Sequence, residues 1–282
     1  MTDNDVVYVS PSGFKYTYLL PFEISSAKPE YRKNNIAWMK SHWYYGFIIS
    51  FFYVLVIFGL KLFMRNRKAY KLRKVLILWN AGLAIFSILG ALRNLPEFMY
   101  ILTEKGLEYS TCTETNSYGV TGFWAWLFIL SKAFELFDTV LLILRKRELI
   151  FLHWYHHITV LLYVWYFMDE FPSNSRWFST INYFIHSIMY SYYTIMALKV
   201  IHMPKIISMM ITSLQIVQMA IGVFINYKTY QYKVIGKACG VSYENIYMTY
   251  LMYASYFYLF LKFFLDKYMK KKDSSTCEKK ID

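Results

Sequence analysis

An all-α membrane protein with seven spanning helices is the fold class this chain predicts, on three observations. Of its 282 residues, 57% are hydrophobic and 21% aromatic, and only 17% are charged, against about 25% charged in a soluble domain. The apolar residues are gathered into continuous runs of the roughly 20 residues that a helix needs to cross a bilayer. Those runs do not alternate apolar with polar positions, as the strands of a membrane β-barrel must.

Taken in order, residues 1–41 are polar and mixed, with no cleaved signal peptide, so the first span is expected to act as its own insertion signal. Spans follow at 42–63, 72–92, 121–144, 151–169, 177–199, 204–226 and 243–265, making 42–265 the membrane domain. Basic clusters separate several of them: Lys61 to Lys74, then Arg145, Lys146 and Arg147, then Lys199 and Lys205. Residues 266–282 form a basic tail. No internal repeat of the transporter kind is visible.

Lys and Arg set the orientation. Eighteen fall on the side of the Lys61–Lys74 cluster and the tail, and eleven on the other, with Lys132 and Lys262 inside spans. The richer side is expected to be cytoplasmic, with the N-terminus lumenal. A net charge of +13 distributed this way signals topology and an anionic headgroup or phosphorylated ligand; it excludes nucleic acid as the expected partner. Cys112 and Cys239 both land in lumenal loops, where an oxidising compartment permits a disulfide. The terminal Glu278-Lys279-Lys280-Ile281-Asp282 matches a dilysine retrieval signal and predicts the endoplasmic reticulum membrane.

Ionisable groups inside a bilayer are costly and default to function. The third span carries Lys132, Glu135, Asp138 and Thr139 in SKAFELFDTV, a spacing that predicts one helix face. Lys132 and Glu135 read equally as a buried salt bridge. The fourth span opens FLHWYHHITVLLYVWY, with His153, His156 and His157 on one side of a helix at the cytoplasmic end. The fifth repeats the stripe in INYFIHSIMYSYY through Asn182, His186, Tyr190 and Tyr193. Thr212, Gln215 and Gln218 in the sixth read first as glue between helices and second as substrate contacts.

Two chemistries compete for the histidines. Membrane di-iron enzymes also use an HxxHH box, but with at least eight imidazoles, and this chain has six histidines in all. A single zinc could take three, though ligands at i, i+3 and i+4 of one helix fit a tetrahedral site awkwardly. The alternative is acid–base and nucleophilic chemistry by the imidazoles themselves, in which one accepts an acyl group and a neighbour moves protons. A nearby Asp138 would fix a tautomer.

In order across residues 132–218, KAFELFDTV, FLHWYHH, INYFIHSIMYSYY and ITSLQIVQM resemble the KxxExxDT, HxxHH, NxxxHxxMYxYY and TxxQxxQ motifs of the ELO family of very-long-chain fatty acid elongases. LHWYHHITVLLY most resembles the branch acting on saturated and monounsaturated chains. The resemblance implies a 3-ketoacyl-CoA synthase that condenses acyl-CoA with malonyl-CoA without metal or redox cofactor. It implies six helices, the second to seventh, around an acyl tunnel closed at the lumenal end, and a Cys112–Cys239 disulfide. His156 is then the expected acyl acceptor, His186 its partner in decarboxylation, and His153, His157, Asp138 and Asn182 orienting groups. Lys132, Glu135, Thr139, Tyr190, Gln215 and Gln218 complete the expected site. Arg145, Lys146, Lys199 and Lys262, with Tyr193, are expected to meet the CoA phosphates. Elongases of this type are expected to associate with a 3-ketoacyl-CoA reductase, a 3-hydroxyacyl-CoA dehydratase and an enoyl-CoA reductase; a homodimer is compatible with the same reading. A seven-span receptor would not need acid–base groups clustered on three spans, and a transporter would place its polar groups near the midplane.

Overall fold

A computed structural model describes residues 7–115, 117–167, 170–201 and 203–270, and the chain there is almost wholly helical. The dilysine tail, Cys277 and His202 lie outside the described residues. Helices occupy all seven of the apolar runs: α2 (Tyr45–Met64), α3 (Arg73–Tyr100), α5 (Gly119–Glu135) with α6 (Phe137–Leu144), α7 (Phe151–Tyr166), α8 (Ser175–Leu198), α9 (Lys205–Val234) and α10 (Tyr243–Phe264). Among the described residues, three helical segments are long and apolar enough to cross a membrane: Tyr45–Met64, Arg73–Cys112 and Lys205–Val234. The second of these continues α3 through a π-turn (Ile101–Lys105) into α4 (Gly106–Cys112).

Six of these units touch in a closed cycle, α3 to α8 to α9 to α10 to α7 to α5 and back to α3, while α2 packs against α6 and α7 from outside. Two close approaches between helices of the ring require glycine. A Cβ at Gly90 of α3 would meet the Tyr183 ring of α8, and one at Gly222 of α9 would meet the Tyr253 ring of α10. Small residues that admit a neighbour this closely drive helix association where the hydrophobic effect cannot. Gly222→Val should therefore cost about 1–3 kcal/mol through overpacking. A lowered thermal midpoint of the detergent-purified protein, read by size exclusion, would report it.

The N-terminal segment is more structured than its polar composition suggests. Two short antiparallel strands, β1 (Tyr8–Val9) and β2 (Lys15–Tyr16), pair Tyr8 with Tyr16. A 3₁₀ turn (Pro21–Ala27) and α1 (Pro29–His42) follow. Buried carboxylates hold the segment to the bundle. Glu23, fully enclosed, accepts from Arg93 of α3 at 2.7 and 2.9 Å and from the Trp124 indole of α5 at 2.7 Å. Glu97 of α3 accepts from Ser12 and Tyr16, each at 2.7 Å. Burial, reinforced by Glu97, pushes the Tyr16 phenol well above its usual range, so it remains a donor.

At the same end, Cys112 and Cys239 are joined by a disulfide that ties α4 to the α9–α10 loop. Gly240 donates its N–H to the Cys112 carbonyl and accepts from Ser173 before α8, each at 3.0 Å. Three chain segments are thereby stapled together at what is here called the disulfide end.

One expectation is corrected. The third run is not one helix: it breaks at Leu136 between α5 and α6. Residues 130–142 contain neither proline nor glycine, so the sequence gives no sign of the break. Leu136 itself keeps right-handed helical dihedrals (φ −56°, ψ −27°), so the interruption is one residue long.

Candidate active site

The site lies inside the ring, at the end opposite the disulfide. A cavity of about 710 Å³ opens there, lined from every helix of the ring except α3. Glu135 and Asp138 reach it from α5 and α6, His153, His156 and His157 from α7, and Asn182, His186, Tyr190 and Tyr193 from α8. Gln215 and Gln218 line it from α9, and Phe260 and Phe263 from α10. The three polar stripes and the TxxQxxQ stretch therefore meet in one space.

Behind the wall the polar groups form two relays. In the first, the Lys132 ammonium donates to Glu135 at 2.8 Å and to Asn182 Oδ1 at 3.0 Å. Asn182 Nδ2 then faces His186 Nε2 at 3.1 Å. An ammonium can only donate, so it fixes the amide oxygen toward itself and the NH₂ toward the imidazole. His186 Nε2 accepts, which leaves the ring proton on Nδ1. Lys132, which does not line the cavity, thus acts on His186 through Asn182.

In the second relay, Tyr53 of α2 hydrogen-bonds the Thr139 hydroxyl at 2.7 Å, and Thr139 meets His153 Nε2 at 3.0 Å. Thr139 stands behind the cavity as an orienting group, and a helix outside the ring reaches the histidines through it. His153 and His157 rings stand 4.7 Å apart and His156 and His157 rings 5.8 Å apart. The His156 ring also meets Tyr256 edge-on at 4.6 Å. The Nδ1 atoms of His156 and His157 are enclosed and make no hydrogen bond among the described residues. A buried polar atom without a partner is rare and needs a reason.

Asp138 has partners other than those expected. One carboxylate oxygen accepts from the Trp79 indole of α3 at 2.5 Å and the other from Tyr190 at 2.7 Å, and neither meets a histidine. It therefore fixes Tyr190, whose ring lies 5.4 Å from that of His186, rather than an imidazole tautomer. Asp138→Asn would turn an NH₂ toward one of two fixed donors. The expected loss is about 1–3 kcal/mol of stability together with reduced turnover, while Tyr190→Phe should do less, because Trp79 still bonds the carboxylate. Thermal midpoints and rates of the two variants make the comparison.

At the mouth, Arg145, Arg147 and Lys267 line the cavity with Tyr192, Tyr193 and Tyr268. Burial, and then Arg147, holds the Arg145 guanidinium below its usual range. A bound anion would offset both the burial and the like charge. Three expected mouth cations do not line the cavity. Lys262 misses because the cavity face of α10 runs through Phe260 and Phe263, continued by Lys267 in the π-turn (Leu265–Met269) that follows, and residue 262 lies off that stripe, exposed. Lys146 takes a positive φ of 53° and donates to the Arg65 carbonyl at 3.2 Å. Lys199 ends α8 in the left-handed conformation, outside the cavity. Arg147, Lys267, Tyr53 and Trp79 were not singled out by the sequence. Only Lys267 carries a signal there, as a helical continuation of the Phe260–Phe263 face.

Among the described residues, no group of three or more His, Cys, Asp or Glu side chains is arranged to hold a metal ion. What the site offers is imidazoles with free valence, an oriented amide and a cationic entrance.

Comparison with known proteins agrees over most of the chain. The family model described as ELO, GNS1/SUR4 family, matches residues 38–276. "Very long chain fatty acid elongase 6" of Drosophila melanogaster is 46% identical over 90% of this chain and 80% of that protein. The Gallus gallus protein of the same name is 45% identical over 88% of this chain and 92% of its own length. The Homo sapiens protein of that name is 44% identical over 86% and 91% respectively.

Proposed function

The chain belongs to the ELO (GNS1/SUR4) family, and we propose that this membrane enzyme of fatty acid elongation is a 3-ketoacyl-CoA synthase acting on long saturated or monounsaturated acyl-CoA. The observation that carries the reading is the convergence of the unpartnered Nδ1 atoms of His156 and His157 with a cationic mouth on one cavity. All seven helical units cross the bilayer, six of them around the acyl tunnel. The Lys and Arg bias makes the mouth cytoplasmic and the disulfide end lumenal.

In the proposed sequence, the CoA phosphates meet Arg145, Arg147 and Lys267, and the acyl chain descends past the histidines. A ring nitrogen of His156 attacks the thioester carbonyl. The carbon–sulfur bond breaks, CoA leaves as the thiol with the imidazole's proton, and an acyl-imidazole remains. Malonyl-CoA then loses carbon dioxide at the same site. The electron pair of the broken carbon–carbon bond becomes an enolate, whose developing oxyanion is met by donors from the His186–Asn182 side. The enolate carbon attacks the acyl carbon, the carbon–nitrogen bond breaks, and the departing His156 nitrogen takes a proton from solvent, which restores the neutral imidazole and frees 3-ketoacyl-CoA. No metal or redox cofactor enters, and the reduction and dehydration that complete a cycle fall to partner enzymes.

Purified protein given acyl-CoA and carboxyl-labelled malonyl-CoA without NADPH should release labelled carbon dioxide. No release with any acyl length, in conditions where a human elongase works, overturns the assignment.

A further inference from the structure

A second cavity, of about 820 Å³, lies at the mouth end outside the ring, between α2 and the loop joining α6 to α7. Four cations line it: Lys61 and Arg65 from the end of α2, and Lys146 and Arg147 from the loop, against one carboxylate, Glu148. Its remaining wall is apolar, including Phe58 and Leu62. The carboxylate ion pairs among the described residues use Arg32, Arg93, Lys132, Lys237 and Lys270, so none neutralises these four.

We propose that this groove binds the headgroup and upper acyl chain of one anionic glycerophospholipid. Charge complementarity gives the first reason. Depth gives the second. α2 is 20 residues long, about 30 Å at 1.5 Å per residue, the thickness of the hydrocarbon core. Lys61 and Arg65 at its end therefore stand at headgroup level, where basic pockets between spanning helices collect anionic lipids. The apolar wall gives the third. Phe58 and Leu62 continue the lipid-facing surface of α2, on which Phe51, Phe52 and Leu55 are exposed. A soluble phosphate has no use for such a wall, whereas an acyl chain lies along it. Cations at a helix C-terminus have a bland explanation in the dipole, but that does not account for two more delivered from a separate loop onto the same cavity.

The groove also touches the site. Arg147 lines both cavities, and Lys146 fastens the loop to α2 through the Arg65 carbonyl. A bound lipid would steady the segment that presents Arg145 and Arg147 to the mouth. The inference needs only that α2 crosses the membrane, not the reaction assigned to the site.

The test uses the full chain in nanodiscs of phosphatidylcholine and phosphatidylserine, with retained lipids counted by native mass spectrometry. The wild type should retain phosphatidylserine in preference to phosphatidylcholine. K61Q/R65Q should lose that preference roughly 25-fold, at about fivefold per cation. R67Q/K68Q removes equal charge from the same connection without lining the groove and should behave as wild type. If the double variant does not fold, K61Q alone should lose about fivefold. No preference in the wild type, or equal loss in the R67Q/K68Q control, would overturn the proposal. So would displacement of the lipid by free CoA, which would make the groove a nucleotide subsite instead.

Discussion

His156→Ala should abolish condensation, lowering turnover by at least about a thousandfold, as expected when a nucleophile is removed rather than a binding contact. It should do so without unfolding the protein. His156 makes aromatic contacts to Tyr256 and Phe260, but its Nδ1 has no hydrogen bond to lose. Intact-mass spectrometry after incubation with acyl-CoA alone should find one acyl adduct on the wild type and none on the variant. His186→Ala separates the two imidazoles. If His186 serves the malonyl half-reaction, that variant should still take up the acyl group and then stall. An unmodified wild type, or full activity in His156→Ala, would sink the covalent scheme. An adduct that persists in His156→Ala and vanishes in His186→Ala would exchange the two roles.

The parts of the site legible in the sequence were those whose periodicity survives folding. The spacings within FLHWYHH and INYFIHSIMYSYY each lie on one uninterrupted helix, α7 or α8, so their stripes arrive intact at the cavity. The stretch SKAFELFDTV is equally periodic, but its four polar groups divide among different partners. Lys132 and Glu135 join Asn182, Asp138 turns to Trp79 and Tyr190, and Thr139 turns to Tyr53 and His153. Trp79 and Tyr53 were not visible because each is a single polar tip on an otherwise apolar span. Their roles exist only through a partner about 59 or 86 residues away. The mouth cations show the same limit. Counting charges between the spans finds the right neighbourhood, but which of Arg145, Lys146 and Arg147 enters the cavity depends on one turn of backbone. In the N-terminal segment the apparent polarity concealed buried anchors, because Glu23 finds Arg93, and Ser12 and Tyr16 find Glu97 of α3, only after docking.

The relay from Lys132 to His186 carries the second large expected effect, and it separates structure from chemistry. Lys132 and Glu135 are both almost fully buried, at 2% and 3% exposure. Glu135 Oε1 accepts from Lys132 and from Ser131 at 3.0 Å. Lys132→Met keeps the volume but strands a carboxylate with one hydroxyl donor inside the bundle. Breaking a buried pair from one side costs about 3–5 kcal/mol, enough to lower the thermal midpoint sharply. The double variant Lys132→Met/Glu135→Leu removes both charges and should recover most of that stability, since apolar replacement of a buried pair is often neutral or better. Activity should not recover with it. Without the ammonium, nothing holds the Asn182 oxygen away from His186, so the amide can turn over and the ring proton is no longer confined to Nδ1. Thermal midpoints and condensation rates of the wild type and both variants decide the matter. Equal stability of the single and double variants would show the pair to be uncoupled. Recovery of rate along with stability would show Lys132 to be a structural charge only, and would remove it from the control of His186.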